Sequence, residues 1–352
     1  MNSMETCIET PVRPAARATR HYTAVGNVVR PGDVLDGRFL IVENLCCGGM
    51  STIFKAEDLQ NNHAVVAVKI PDREIESKPA VFMRFKREEQ IGVTLKHPSI
   101  LKFITVEGPK SRPYIVTEFL TGTTLFGHLK AAGKLPEAEA LKMASRICEA
   151  LQYLHGRGVV HRDLKPENVM LCADGSLRLI DFGVARFEEA RRLTFINGVP
   201  GTPHYMAPEQ VNGQRGDGRT DLYSLGVMLY QMLTGQIPFD GEDTTAVANA
   251  RVTGDSVAPR KVNPSISPQA EEMVLRAMER DLDNRYPSAT AFKADLDNPA
   301  QVTLTGRCDR LEESTPWKRA LRKIKYVAIW ALVPVIAQVV GFFLLWRMLA
   351  KH

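Results

Sequence analysis

His161-Arg162-Asp163-Leu164-Lys165-Pro166-Glu167-Asn168, with Asp181-Phe182-Gly183 close behind it, concentrates four chemically useful side chains in one short run. Asp163 is a carboxylate able to take a proton, and Lys165 is a cation two residues away. Asn168 and Asp181 are hard oxygen donors of the kind a small divalent cation selects. His-Arg-Asp by itself would be ordinary turn chemistry. Eight positions in this order, followed at a fixed distance by a second acid in a tight turn, make a motif pair with little chance of arising from turns alone.

Working towards the N-terminus, Val65-Val66-Ala67-Val68-Lys69-Ile70 is short and rich in β-branched residues, the pattern of a buried strand. A lysine there is costly unless an acid pairs with it. Phe85-Lys86-Arg87-Glu88-Glu89 supplies two candidates. Ahead of that strand, Leu45-Cys46-Cys47-Gly48-Gly49-Met50-Ser51-Thr52-Ile53 gathers small residues and glycine, which permit a backbone to approach a phosphate closely. Tyr114-Ile115-Val116-Thr117-Glu118-Phe119 alternates as a second strand. From Pro136 to His155, apolar residues at Leu141, Ala144, Ile147, Cys148, Leu151 and Leu154 form a helical stripe ending at Gly156, which reads as packing without chemistry.

In this order, from about Leu40 to about Phe292, the motifs resemble those of the eukaryotic-like serine/threonine protein kinases of bacteria. The resemblance implies an α+β, two-lobed fold with a small, mainly β lobe and a larger, mainly α lobe. It also implies ATP and Mg2+ as cofactors, with Mn2+ as the alternative ion. By the same resemblance Asp163 positions and deprotonates the acceptor, Lys165 stabilises the transferring group, and Asn168 and Asp181 hold the metal. Lys69 would orient the phosphates and Glu88 would fix Lys69; Glu88 is preferred because it follows an Arg-Phe-x-Arg pattern, with Glu89 as the fallback. The nucleotide-binding positions implied are Leu45, Cys46, Cys47, Gly48, Gly49, Met50, Ser51, Ile53, Ala67, Lys69, Thr117 as gatekeeper, Glu118, Phe119 and Leu120 as hinge, and Met170.

One departure stands out. The family's G-x-G-x-x-G loop keeps its middle glycine at Gly48, but Cys46 occupies the first position and Ser51 the third. A stiffer, less closely fitted loop is expected, with strain stored at either position if it needs positive φ, and restoring both glycines should ease nucleotide handling. Further on, Gly201-Thr202-Pro203-His204-Tyr205-Met206-Ala207-Pro208-Glu209 matches the family's substrate loop and implies a polypeptide acceptor. Lys165 favours serine or threonine over tyrosine by the same analogy. Thr194, beside Arg191 and Arg192, is the expected site of regulatory autophosphorylation, with Arg162 available to a phosphate. Asp221 is expected to brace the loop around Asp163, and Glu209 to pair with Arg285.

Composition fits a large catalytic unit. The chain has 352 residues, of which 44% are hydrophobic, enough for a real core. A net charge of +5 is too small to imply nucleic acid. Six cysteines without metal-ligand spacing suggest a reducing compartment.

The ends differ from the middle. Residues 1–35 read as a flexible extension, 36–297 as the catalytic domain, and 298–325 as a linker with a basic juxtamembrane segment. Residues 326–346 carry no charge, long enough for a helix to cross a ~30 Å hydrocarbon core, and 347–352 form a short tail. Lys318, Arg319, Arg322, Lys323 and Lys325 precede the span, against Arg347 and Lys351 after it. The positive-inside rule then places the catalytic domain in the cytoplasm, and the short 347–352 tail leads to the expectation of no sensor beyond the single-pass helix. The expected partners are a protein with a serine or threonine acceptor and the membrane, with a homodimer left open. Two alternatives remain: a catalytically dead membrane scaffold, which Cys46 and Ser51 would favour, and a small-molecule kinase, which the loop ending at Glu209 disfavours.

Overall fold

A computed structural model describes residues 20–21, 28–47, 51–72, 79–181, 204–239, 252, 254 and 256–311. Ten strands are described: β1 (Arg20–His21), β2 (Asp33–Leu35), β3 (Phe39–Cys47), β4 (Ser51–Asp58), β5 (Ala64–Pro71), β6 (Phe103–Ile104), β7 (Ile115–Glu118), β8 (Gly122–Thr124), β9 (Val169–Cys172) and β10 (Leu177–Leu179). The first seven form one sheet in the order β1-β2-β3-β4-β5-β7-β6, antiparallel except for the β1–β2 pair. Alternation along β5 buries Val66, Val68 and Ile70 and leaves Ala67 and Lys69 on the opposite face. Val66 and Val68 join Leu35, Phe39, Ile41, Phe54, Tyr114 and Val116 in the core of this lobe, where Phe39 meets Tyr114 edge-on at 5.8 Å.

Against the sheet lies helix α1 (Pro79–Gly92), which carries Glu88. The rest of the described residues are mainly helical, with α2 (Leu125–Ala132), α3 (Glu137–His155), α4 (Pro208–Val211), α5 (Gly218–Thr234), α6 (Pro259–Val262), α7 (Pro268–Ala277), α8 (Ala289–Asp297) and α9 (Arg307–Arg310). Helix α3 follows Pro136, carries Glu137 and Glu139 in its first turn, and buries the apolar stripe read from sequence. Helix α5 starts at the Asp217 cap and stops at Gly235, whose φ of 74° is readily open to glycine. Between caps it is buried on nearly every side, so it forms the centre on which α3, α7 and α8 pack.

Residues 298–311, expected to be linker, are instead docked on α7. Arg307 pairs with Glu272 and, at 3.2 Å, with Glu279, while Thr305 donates to Glu272 at 2.6 Å. The packed unit therefore runs past 297, because this segment carries a cation matched to Glu272 on α7 and Glu279 just beyond it. No helix among the described residues is long and apolar enough to cross a membrane, and the 326–346 stretch lies outside those residues.

Candidate active site

Lys69 sits mid-strand, with Ile53 opposite it on β4 and Ile115 opposite it on β7. Its Nζ donates to Glu88 Oε1 at 2.8 Å and to Asp181 Oδ1 at 2.9 Å. Burial disfavours the ammonium, but the Asp181 and Glu88 carboxylates outweigh it and hold the Lys69 pKa above its ordinary value. Burial pushes the Glu88 carboxyl up, with Lys69 acting against it. The neighbouring Glu89 pairs with Lys110, whose Nζ also donates to the Tyr114 carbonyl at 2.7 Å. Of the two adjacent acids, Glu88 is thus the one that faces Lys69.

A second cluster forms around Asp163. Pro166 starts a single 3-10 turn that ends at Asn168, folding the amide back on the acid. Asn168 Nδ2 donates to the Asp163 carbonyl at 2.8 Å and to Asp163 Oδ2 at 3.1 Å, and Lys165 Nζ lies 3.3 Å from that same carboxylate oxygen. The two clusters are joined through backbone, because Ile180 N donates to the Asn168 carbonyl at 2.9 Å. Asn168 and Asp181 are thereby held side by side.

Backbone strain marks the same places. Arg162 and Asp181 have φ of 62° and 54°, a region that costs a non-glycine residue about 1–3 kcal/mol. Arg162 is held there from both sides: its N–H donates to Asp221 Oδ1 at 2.8 Å, and its carbonyl accepts from Gln210 Nε2 at 2.9 Å. Asp221 is fully buried on α5 and also accepts from His161 N at 2.9 Å, while His155 Nε2 lies 2.7 Å from its Oδ2. Burial holds the His161 imidazole below its ordinary pKa, against the pull of Asp221 and Asp163, so it stays neutral inside the loop. Sequence reading misses His155 and Gln210. His155 closes a helix whose stripe reads as packing alone, and it is instead a polar partner of the brace. Gln210 follows Pro208-Glu209 directly, and its Oε1 accepts from Ala207 N at 3.0 Å, tying that loop to the Asp163 segment.

Several of the positions expected to meet the nucleotide lie on the same sheet. Ala67 lies opposite Thr117, and Thr117 lies opposite Phe103, so two of the expected positions, Ala67 and Thr117, are cross-strand neighbours. Thr117 Oγ1 donates to the Glu118 carbonyl at 3.2 Å. The Glu118 carboxylate is engaged elsewhere, accepting from Lys102 N at 2.9 Å with Arg178 Nε 3.6 Å away. Lys55 Nζ stands 5.2 Å from the Phe119 ring centre, and Leu120 follows on the way to β8. Met170 on β9 is opposite Thr124 and Arg178, and Leu45 is half-buried on β3. Gly48, Gly49 and Met50 lie outside the described residues, as do Phe182 and Thr194.

The two loop departures are not strained. Cys46 is paired with Ile53 on β4, where the β3–β4 ladder runs on to Cys47 and Thr52, and Ser51 at the third position is paired with Pro71 on β5. Neither Cys46 nor Ser51 has positive φ. The expectation of stored strain is corrected accordingly: residues in extended strand geometry have no need of glycine. Changing Cys46 and Ser51 together to glycine should therefore lower kcat/KM for ATP, by about two- to fivefold, because added backbone freedom must be lost on closure. Steady-state kinetics at varied ATP checks this, and a rise in kcat/KM would restore the strain account.

Among the described residues no group of three or more His, Cys, Asp or Glu could hold a metal. Mg2+ asks for less, since phosphate oxygens and water complete its shell around one or two protein oxygens. Asn168 and Asp181 fit that requirement. With the amide nitrogen engaged by Asp163, the carbonyl oxygen is what Asn168 offers a cation.

Residues 39–296 match the family model described as the protein kinase domain. The chain is 37% identical over 270 residues to the serine/threonine-protein kinase PknB of Mycolicibacterium smegmatis, covering 74% of this chain and 43% of the relative. A probable serine/threonine-protein kinase of Clostridium perfringens is 34% identical over 266 residues, 76% of this chain and 39% of its own length. PknB of Mycobacterium tuberculosis is 36% identical over 270 residues, with 74% and 43% covered. The chain thus spans about two fifths of the length of these curated relatives. With the match extending over most of the chain and both side-chain clusters assembled inside it, this chain belongs to the protein kinase family and is similar to bacterial serine/threonine members of it.

Proposed function

We propose that this protein transfers the γ-phosphoryl group of ATP to serine or threonine hydroxyls of proteins, itself included, while anchored to the membrane by residues 326–346 with its catalytic domain in the cytoplasm. The observation that carries the catalytic part is the joining of the Lys69–Glu88–Asp181 cluster to the Asp163–Asn168–Lys165 cluster through the Ile180–Asn168 hydrogen bond. Phosphoryl transfer is mainly positioning and charge stabilisation, and that is what this arrangement supplies. Bound Mg2+ would neutralise phosphate charge next to Asn168 and Asp181. Lys69, held protonated by its two acids, presents a fixed cation to the phosphates. Asp163 orients the acceptor hydroxyl and takes its proton, and Lys165 places positive charge beside the same carboxylate.

Given Mg2+ and ATP, the full-length protein in detergent should phosphorylate itself between residues 184 and 200, with Thr194 the leading site; mass spectrometry of an active enzyme with that segment unmodified would refute self-regulation there. The anchor rests on hydropathy and flanking charge. Full-length protein should resist extraction from membranes by carbonate and yield to detergent. A chain ending at residue 315 keeps the docked 298–311 segment and should be soluble and active. Release of the full-length protein by salt or carbonate alone would show that the segment does not span.

A further inference from the structure

Residues matching the family model end at 296, yet the segment from 298 to 311 is still docked on α7. At Gly306 a φ of 72° turns the chain so that Thr305 and Arg307 both reach Glu272. Arg307 does more than fasten the segment. Its Nε donates to Glu279 Oε1 at 3.2 Å, and Arg310 Nη2 lies 4.0 Å from the same oxygen. The Arg307 side chain is only 15% exposed, so its contacts escape most of the screening that makes surface pairs worth little.

Glu279 lies just beyond the end of α7, and its carbonyl, one of those a helix leaves without an internal partner, accepts from Arg285 Nε at 2.7 Å. Arg285 uses all five of its N–H donors. Besides Nε on Glu279, Nη1 donates to Glu209 Oε1 at 2.9 Å and to the Arg219 carbonyl at 3.2 Å, and Nη2 donates to Glu209 Oε2 at 2.8 Å and to the Arg280 carbonyl at 3.1 Å. A rigid guanidinium held at five points cannot follow a shift at one of them without losing geometry at the others. On the far side of the pair, Gln210 follows Glu209 and donates to the Arg162 carbonyl at 2.9 Å, one residue before Asp163. A continuous run of contacts thus joins Arg307 to the segment that carries Asp163.

We propose that Arg307 and Glu279 are positioning residues for phosphoryl transfer. Fixing the Glu279 side chain fixes the carbonyl on which Arg285 rests, and through Glu209 and Gln210 it fixes the backbone at Arg162 and Asp163. Lys69 and Glu88 share no residue with this run. The effect therefore falls on turnover of the acceptor rather than on the handling of nucleotide.

The inference rests on the kinase activity proposed above, and its test separates the two. In the full-length enzyme, assayed well below each variant's Tm, Arg307→Ala should lower kcat for transfer to polypeptide by about three- to tenfold with KM for ATP within about twofold of wild type. Glu279→Ala removes the side chain that Arg307 holds, keeps the carbonyl that Arg285 uses, and should lower kcat by a similar factor. Adding Arg307→Ala to Glu279→Ala should cost less than about twofold more, because both act through one contact. Thr305→Val loosens the same segment from Glu272 without touching Glu279, so it should lower Tm while leaving kcat within about twofold of wild type. If Arg307→Ala fails to fold, Glu279→Ala and Thr305→Val carry the test. Unchanged kcat in Arg307→Ala or Glu279→Ala, fully additive losses in the double variant, or an equal fall in kcat in Thr305→Val would overturn the positioning role. An inactive wild type would overturn the kinase reading instead.

Discussion

Asp163→Asn is expected to reduce phosphoryl transfer by about 10²- to 10⁴-fold while leaving nucleotide affinity within about threefold of wild type. The substitution preserves shape, and the 2.8 Å bond from Asn168 Nδ2 to the backbone carbonyl of residue 163 needs no carboxylate. What disappears is the group that takes the acceptor proton. Asp181→Asn should behave differently. It removes one oxygen charge from the metal side and one of the two acids on Lys69, so Mg-dependent nucleotide binding should fall by about tenfold along with turnover. Single-turnover kinetics beside calorimetric binding distinguishes the two patterns. Equal transfer by wild type and Asp163→Asn would remove Asp163 as the base.

The largest expected stability effect lies away from the reacting atoms. Arg285 and Glu209 form a bidentate pair at 2.9 and 2.8 Å, both side chains almost wholly buried, and Thr220 Oγ1 donates to the same carboxylate at 2.8 Å. Arg285→Ala leaves a buried carboxylate without its cation and should cost about 3–5 kcal/mol, a fall in Tm on the order of 10 °C. Burial alone would raise the Glu209 carboxyl, but hydrogen bonds and charge from Arg285 outweigh it and hold it below its ordinary 4.5. A depressed folded pKa contributes stability that is full above 4.5 and is lost as pH falls through the folded value. The gap between wild type and Arg285→Ala should accordingly be widest near neutrality and shrink on acidification below that point. Thermal melts across pH 3–7 read this directly; a gap that stays constant with pH would show that the pair does not hold Glu209 ionised.

Residues whose role depends on near neighbours along the chain are legible in the sequence alone. Asp163, Lys165 and Asn168 are bound into one turn by Pro166, so their spacing alone discloses their meeting. Lys69 signals a need for an acid because a charge in a β-branched strand demands one. Glu88 and Glu89, however, are adjacent, and only the rotation of α1 on the sheet sends one to Lys69 and the other to Lys110. The brace around Arg162 draws on α3, α4 and α5, from His155 to Asp221, and no periodicity within one element reveals it. Cys46 and Ser51 mislead for a related reason: as a loop they look strained, whereas pairing with β4 and β5 keeps both extended.

The most direct test of the account is phosphoamino-acid analysis after purified wild-type protein meets γ-labelled ATP, Mg2+ and a polypeptide rich in serine, threonine and tyrosine. Label recovered in phosphoserine or phosphothreonine, and lost when Mg2+ is chelated, is the predicted result. No transfer to polypeptide, or label confined to phosphotyrosine or to a small-molecule acceptor, would contradict it.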